Sequence, residues 1–411
     1  MPDLIKQPLQ LPCGVQLHNR LCKAAMTERL AGPDGSPNAL HNRLYQAWLK
    51  TGAGLLITGN MMINRNHLES GGNIIVDHEG ILPKLQELAK QSQSATTQTW
   101  VQISHSGRQT SRLVNLHPKA PSSVQLKKWA LFGTPRAMTE ADIQEVIAGF
   151  VRTAKLCQQA GFKGIQIHSA HGYLLSQFLS PHTNLRQDQW GGTLENRSRL
   201  LRTILTQVRE VVGPAYPVSV KLNSADFQRG GLTEEESLVV VQMLQELGVD
   251  LLEISGGTYE KMAFFTKNEE VANQKESTKR REAYFLDFAH RVRETCQIPL
   301  MITGGFRTYD FCQSALADGA VDVIGMARPF LLNLPEMADF LAGKIPQLKD
   351  PRVRTGIKAL EEMAEGGYYA RQVVRIAQGK PVQNKVQGIP SVSFVLTHEL
   401  KKAIGKQFYR G

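Results

Sequence analysis

The chain has 411 residues, 42% of them hydrophobic and 21% charged, which excludes a disordered, collagen-like or disulfide-scaffold protein. Its net charge of +11 raises the question of a polyanionic partner. The excess is local, however. Residues 344–411 carry thirteen Lys/Arg against five Asp/Glu, leaving +3 for the 343 residues before them, so no nucleic-acid partner is expected. Five scattered cysteines (Cys13, Cys22, Cys157, Cys296, Cys312) with no CxxC spacing argue against a disulfide framework or a cysteine metal cluster and fit a reducing compartment. The opening MPDLIKQPLQLPCG lacks the pattern of a signal peptide, and no apolar run approaches the roughly 18 residues of a membrane span. A cytoplasmic protein without a membrane partner is the expectation.

In chain order, Leu4–His18, with Pro8, Pro12 and Gly14, predicts a short hairpin. Eight apolar, β-branched runs follow: RLCKAAM (20–26), GLLITG (54–59), TWVQIS (99–104), GIQIHS (164–169), PVSVKL (217–222), DLLEIS (250–255), PLMITG (299–304) and DVIGMA (322–327). Continuous runs of this kind suit strands buried on both faces of a parallel sheet. Helical patterns separate them. Thr139 with Asp142, and Thr233 with Glu236, read as capping boxes; Thr193 precedes a helix ending at Gly213, and Gly248 ends the helix that Thr233 opens. Eight β/α units predict an α/β fold of the (β/α)₈ barrel type, with an N-terminal hairpin as a lid on its floor. The barrel spans residues 1–343 and a basic extension spans 344–411, where Leu360, Tyr368, Tyr369, Val373, Ile376 and Phe394 interleave with the charges. An open doubly wound sheet is the competing architecture.

Chemistry in this fold collects on the loops after the strands. After the fourth strand come His168, His171 and Tyr173, two imidazoles and a phenol able to converge on one oxygen. The same His-x-x-His spacing could hold zinc, but a third ligand is missing apart from His105. Gln102 is an amide in an apolar run, and Lys221, inside the fifth strand, must meet an acceptor or lose its charge. Gly304-Gly305 and Ala327-Arg328 end the last two strands with backbone donors and a guanidinium suited to a phosphate.

These residues, together with GIQIHSAHGYLLSQFLSPHTNLRQDQWGGTLENR (164–197), RREAYFLDFA (280–289), GGFRT (304–308) and VIGMARPFL (323–331), resemble the Old Yellow Enzyme family of FMN-dependent ene-reductases, also called NADH:flavin oxidoreductases. The resemblance implies FMN as cofactor, NADH or NADPH as reductant and a small α,β-unsaturated carbonyl compound as substrate, with quinones or nitro compounds as further candidates. It places Met26 and Thr27 beside the flavin, with the Thr27 hydroxyl near the C4 carbonyl oxygen. It implies a backbone contact from Gly59, Gln102 on the pyrimidine edge, Lys221 near N1/O2, and Gly305, Ala327 and Arg328 on the phosphate. His168 and His171 would bind the substrate carbonyl and Tyr173 would deliver the proton. The family's common proline is Ala25 here, a subgroup's cysteine is Thr27, an acidic residue of some members is Thr58 and the usual arginine is Lys221; His168/His171 corresponds to a His–His variety where other members have His–Asn. The resemblance also admits a homodimer.

A Schiff-base aldolase barrel using Lys221, with Arg328 on a substrate phosphate, is the alternative enzyme. The long stretches Ser106–Met138 and Gly256–Lys279 are expected to cap the site, with Phe264, Phe265 and Tyr284 as candidate lining residues.

Overall fold

The computed structural model describes residues 3–126, 131–255, 286–351, 353–385 and 387–409; Phe264, Phe265, Tyr284 and the stretch Gly256–Lys279 lie outside them. Each of the eight predicted runs forms a strand: β1 Leu21–Lys23, β2 Leu55–Ile57, β3 Gln98–Ser104, β4 Gly164–Ser169, β5 Val218–Asn223, β6 Leu251–Ser255, β7 Leu300–Thr303 and β8 Val323–Met326. Successive strands pair in parallel, and β8 returns to β1 in the register Ile324↔Leu21 to Met326↔Lys23. The sheet is therefore a closed (β/α)₈ barrel, and the open doubly wound alternative is overturned by that β8–β1 ladder. Several strands are shorter than their apolar runs because residues such as Ala25 and Met26 lie past the paired ladder, at the mouth.

Side chains alternate across a strand, so every second residue enters the barrel. The inward set is graded along the axis. Cys22, Leu55, Ile57, Trp100, Leu251, Met301 and Val323 form an apolar floor, on which Leu9, Leu11 and Leu17 pack. These leucines belong to the N-terminal hairpin, whose strands Leu9–Gln10 and Gln16–Leu17 pair antiparallel. One layer higher, Gln102, Gln166, Lys221 and Glu253 make the interior polar, and above them come His168, Asn223 and Ser255. The outward set of Val101, Ile165, Ile167, Val220, Leu252, Ile254 and Ile324 packs against the helices.

Helix starts follow their capping chemistry. Thr139 accepts from the Asp142 amide while the Asp142 carboxylate accepts from the Thr139 amide, opening α3 (Glu140–Gln159), after α1 (Ala39–Leu49) and α2 (Leu82–Gln91). Thr193 caps α4 (Leu194–Val212) and Thr233 with Glu236 boxes α5 (Glu234–Glu246). After α6 (Tyr309–Ala317) the chain adds two long helices, α7 (Lys358–Ala377) and α8 (Gly388–Tyr409). Helix α7 lies on α1, with Arg43 Nε donating to the Ala377 carbonyl at 2.8 Å. It meets α8 so closely that a Cβ on Gly367 would lie 2.1 Å from the Ser391 carbonyl oxygen. No helix among the described residues is long and apolar enough to cross a membrane.

Arg136 forks onto Asp142 (2.6 and 3.1 Å) and Lys119 joins at 2.8 Å, holding this carboxyl well below the ordinary aspartate value of 3.8. Asp142 therefore contributes stability fully above that value and loses it as pH falls below it. The stability difference between the native chain and Asp142→Asn, measured by urea unfolding, is expected to be constant above about pH 5 and to shrink steadily below about pH 4. Thr139→Ala is expected to cost about 1 kcal/mol by the same measurement.

Candidate active site at the barrel mouth

His168, the last residue but one of β4, points inward beside Lys221, its register partner on β5. His168 Nδ1 accepts from the Ala170 amide at 3.3 Å, so the ring carries its proton on Nε2. Three residues on, the backbone of His171 is left-handed (φ 60°), and neighbouring strand ends hold it there. Its amide donates to Asn223 Oδ1 at 3.0 Å, and its Nε2 lies 2.8 Å from Ser255 Oγ. The two imidazoles stand edge to face with centroids 5.3 Å apart. The buried ring of Tyr173 lies 4.8 Å from His168 and precedes the short helix Leu174–Leu179. Burial, then the positive charge of Lys221, hold both imidazoles well below the usual histidine range, so they are neutral at pH 7. The sequence therefore brings His168, His171 and Tyr173 together as two neutral rings and a phenol.

Beneath them runs a chain of buried polar contacts. Gln102 Nε2 donates to Gln166 Oε1 at 2.8 Å, and Gln166 Nε2 donates to Glu253 Oε2 at 2.8 Å. Glu253 Oε1 pairs with Lys221 Nζ at 2.7 Å. Lys221 and Glu253 are directly opposite in the β5–β6 register, so both point into the barrel at one level. An ammonium held by a carboxylate offers no lone pair to a carbonyl, which disfavours the Schiff-base reading. The counter-charge that a barrel lysine requires is thus Glu253.

On the far side, Met26 and Thr27 follow β1 and Gly59 follows β2. Thr27 Oγ1 donates to Glu69 Oε2 at 2.8 Å. Gly59 is wedged so tightly that a Cβ would lie 2.5 Å from the Met26 carbonyl oxygen, and its amide donates to Glu28 Oε1 at 3.0 Å. Glu28 also accepts from the Tyr45 hydroxyl. Behind it Lys23 is wholly buried, donating to the Ile57 carbonyl at 2.6 Å with its Nζ 4.2 Å from the Trp48 ring centroid. Burial lowers the Lys23 pKa to about 8 against the opposing charge of Glu28.

After β7, Gly304 and Gly305 take φ of 123° and 86°, conformations that glycine supplies without strain. Across from them Ala327 leads into Arg328, whose Nη1 donates to Glu365 Oε1 at 3.1 Å; Glu365, from α7, also accepts from Tyr369 at 3.1 Å. The inward hydroxyls of Ser104 and Thr303 are buried without a hydrogen-bond partner among the described residues. Glycine-built turns, a guanidinium, unpaired hydroxyls and an amide layer fit a phosphorylated, hydrogen-bonding cofactor such as FMN.

Sequence reasoning missed Glu253, Gln166, Glu28, Lys23 and Glu69. Glu253 and Gln166 were visible as charged or amide residues inside apolar runs, the same signal that marked Lys221. Lys221→Met is expected to destabilise the chain by about 3–5 kcal/mol in urea unfolding because it strands a buried carboxylate. Adding Glu253→Leu should recover much of that loss.

A family model described as NADH:flavin oxidoreductase / NADH oxidase family matches residues 5–347. The chain is 36% identical over 350 residues to the NADH-dependent flavin oxidoreductase iliE of Neonectria sp., covering 80% of this chain and 45% of that protein. It is also 36% identical over 365 residues to the NADH-dependent flavin oxidoreductase nadA of Aspergillus parasiticus, covering 84% of this chain and 80% of that protein. The solved Old Yellow Enzyme homologue from Zymomonas mobilis superposes with a TM-score of 0.70 at 23% identity, over 84% of this chain and 94% of that one. With that fold and these relatives, the chain belongs to the NADH:flavin oxidoreductase family, the Old Yellow Enzyme group of FMN-dependent oxidoreductases.

Proposed function

We propose that this enzyme reduces the activated C=C bond of an α,β-unsaturated carbonyl compound at the mouth described above. The observation that carries the reading is the trio of His168, His171 and Tyr173, two neutral rings and a phenol, with the His171 and Tyr173 ring centroids 5.3 and 4.8 Å from that of His168. FMN, when bound, supplies hydride to the substrate β-carbon and is itself restored by NADH or NADPH. Met26, Thr27, Gly59, Gln102 and Lys221 would hold its ring, and Gly305, Ala327 and Arg328 its phosphate.

The chain's own groups then act on the substrate. Reduction at the β-carbon moves charge onto the carbonyl oxygen, and His168, with its proton on Nε2, donates there together with His171. Because the charge exists mainly in the transition state, such a donor lowers the barrier by about 3 kcal/mol. Neutral rings suit this role because they stay donors without binding anions indiscriminately. The Tyr173 hydroxyl protonates the α-carbon. Lys221, fixed by Glu253, would place positive charge where the flavin's N1/O2 edge gains electron density.

The purified protein is expected to be yellow and to develop a charge-transfer band with a phenol, which His168→Ala/His171→Ala abolishes. A protein that is colourless and takes up no FMN would end this reading. Tyr173→Phe should slow enone reduction about 10²- to 10⁴-fold while leaving reduction of the flavin by NAD(P)H within a few-fold of native, measured by stopped flow. Equal losses in both half-reactions would remove Tyr173 as proton donor.

A further inference from the structure

A cavity of about 300 Å³ opens on the flank of the barrel, between the loop after β2, the loop after β3 and the first half of α3. None of the residues assigned above to flavin or substrate lines it. Among its lining residues His67 and His105 stack, with ring centroids 4.3 Å apart and each 2% exposed. Burial first, with the charge of Lys119 among the further causes, keeps both rings neutral. His67 is satisfied at both nitrogens: Nδ1 lies 3.2 Å from Asn64 Oδ1, and Nε2 accepts from the Lys119 amide at 3.0 Å. His105 is not. Its Nδ1 accepts from the Gly107 amide at 3.0 Å, so its proton is on Nε2, and no acceptor among the described residues meets that proton. A buried N–H left in this way is costly and calls for a partner.

The charges divide in the same manner. Arg65 forks onto Asp77 at 2.6 and 2.8 Å, and Lys119 is held by Asp142 at 2.8 Å and Glu145 at 2.6 Å. Arg152 meets no carboxylate among the described residues. Its Nη2 donates to the Ile63 carbonyl at 3.3 Å, and its Nε is buried without an acceptor. Three cations, Arg65, Lys119 and Arg152, therefore line the cavity against two carboxylates, Asp77 and Glu145, an excess of one positive charge. Ile63 and Val146 add apolar wall. The unspent capacity is thus donor in kind and carries a single charge. An acceptor with one negative charge balances it, whereas a dianion would exceed it and stand against Asp77 and Glu145.

We propose that this cavity binds a small monoanionic carboxylate, which takes the His105 Nε2 proton and the Arg152 guanidinium and rests its short carbon chain on Ile63 and Val146. The site is separate from the mouth yet linked to it. The His105 carbonyl accepts from the Leu174 amide at 3.0 Å, in the helix that Tyr173 precedes.

Butyrate is the probe, titrated by calorimetry into the FMN-loaded native chain with a saturating phenol present to fill the mouth. One butyrate per chain is expected to bind despite the phenol. Arg152→Met is expected to weaken butyrate on the order of ten- to a hundredfold, the loss of a charged hydrogen bond, and to leave phenol affinity unchanged. Butyrate should raise the thermal midpoint of the native chain and not that of Arg152→Met. If Arg152→Met fails to fold, Arg152→Gln replaces it, with a loss in the same direction. Succinate, a dianion at neutral pH, should bind more weakly than butyrate. Absence of saturable butyrate binding, or equal affinity in the native chain and the variant, would overturn the proposal. Butyrate that phenol displaces belongs to the mouth and would overturn it as well. Succinate binding more tightly than butyrate would do the same, since the cavity would then hold more unspent charge than one guanidinium supplies.

Discussion

A lysine and a glutamate paired at 2.7 Å in the middle of a barrel, out of reach of water, constrain much of what surrounds them. Each charge is expensive to bury, and the pair is tolerable only when its remaining hydrogen-bonding capacity is met. Gln166 meets part of it by donating to Glu253, and Gln102 steadies Gln166 in turn. Four consecutive strands thus commit one inward position each to a polar layer. That layer separates a floor of leucines, Trp100 and Met301 from a mouth of imidazoles and hydroxyls, and its positive end lies next to His168. The same charge that needs Glu253 also helps keep His168 and His171 neutral.

The segment after the barrel is built into the mouth at two places. Helix α7 brings Glu365 and Tyr369 to Arg328 after β8, and α8 brings His398, Glu399 and Lys402 to the turn after β1. Because β8 and β1 are neighbours in the closed sheet, one helical pair spans both turns. The family match ends at residue 347, so these contacts come from a part of the chain beyond the shared barrel. Apolar side chains of α8, among them Leu396, Leu400 and Ile404, remain exposed, while Tyr368, Val373 and Ile376 of α7 are buried.

The strands and caps were legible in the sequence because their causes are local. A strand covered on both faces needs a continuous apolar run, and Thr139, Thr193 and Thr233 announce helix starts through hydrogen bonds that reach three residues. The partner of Lys221 was not legible, since it depends on which residue of β6 lies opposite in the ladder. Glu28 and Lys23 were hidden for a similar reason: their meaning comes from Tyr45, Trp48 and Gly59, gathered by the packing of α1 against β1 and β2. Glu69 lies in a loop with no period at all, and its link to Arg29 and Glu399 joins residues 330 positions apart in sequence. Arg328 was legible as a cation at a strand end, but its acidic neighbours on α7 were not.

The left-handed backbone at His171 limits what evolution could place there. At a φ of 60° side chains branched at Cβ are strained, whereas Gly, Asn, Asp and His are tolerated. Glycine carries no side-chain donor, and an ionised aspartate is an acceptor only. Histidine and asparagine are the members of that set that carry a side-chain donor. The permitted alphabet at residue 171 is written by its torsion angle as much as by the chemistry it serves.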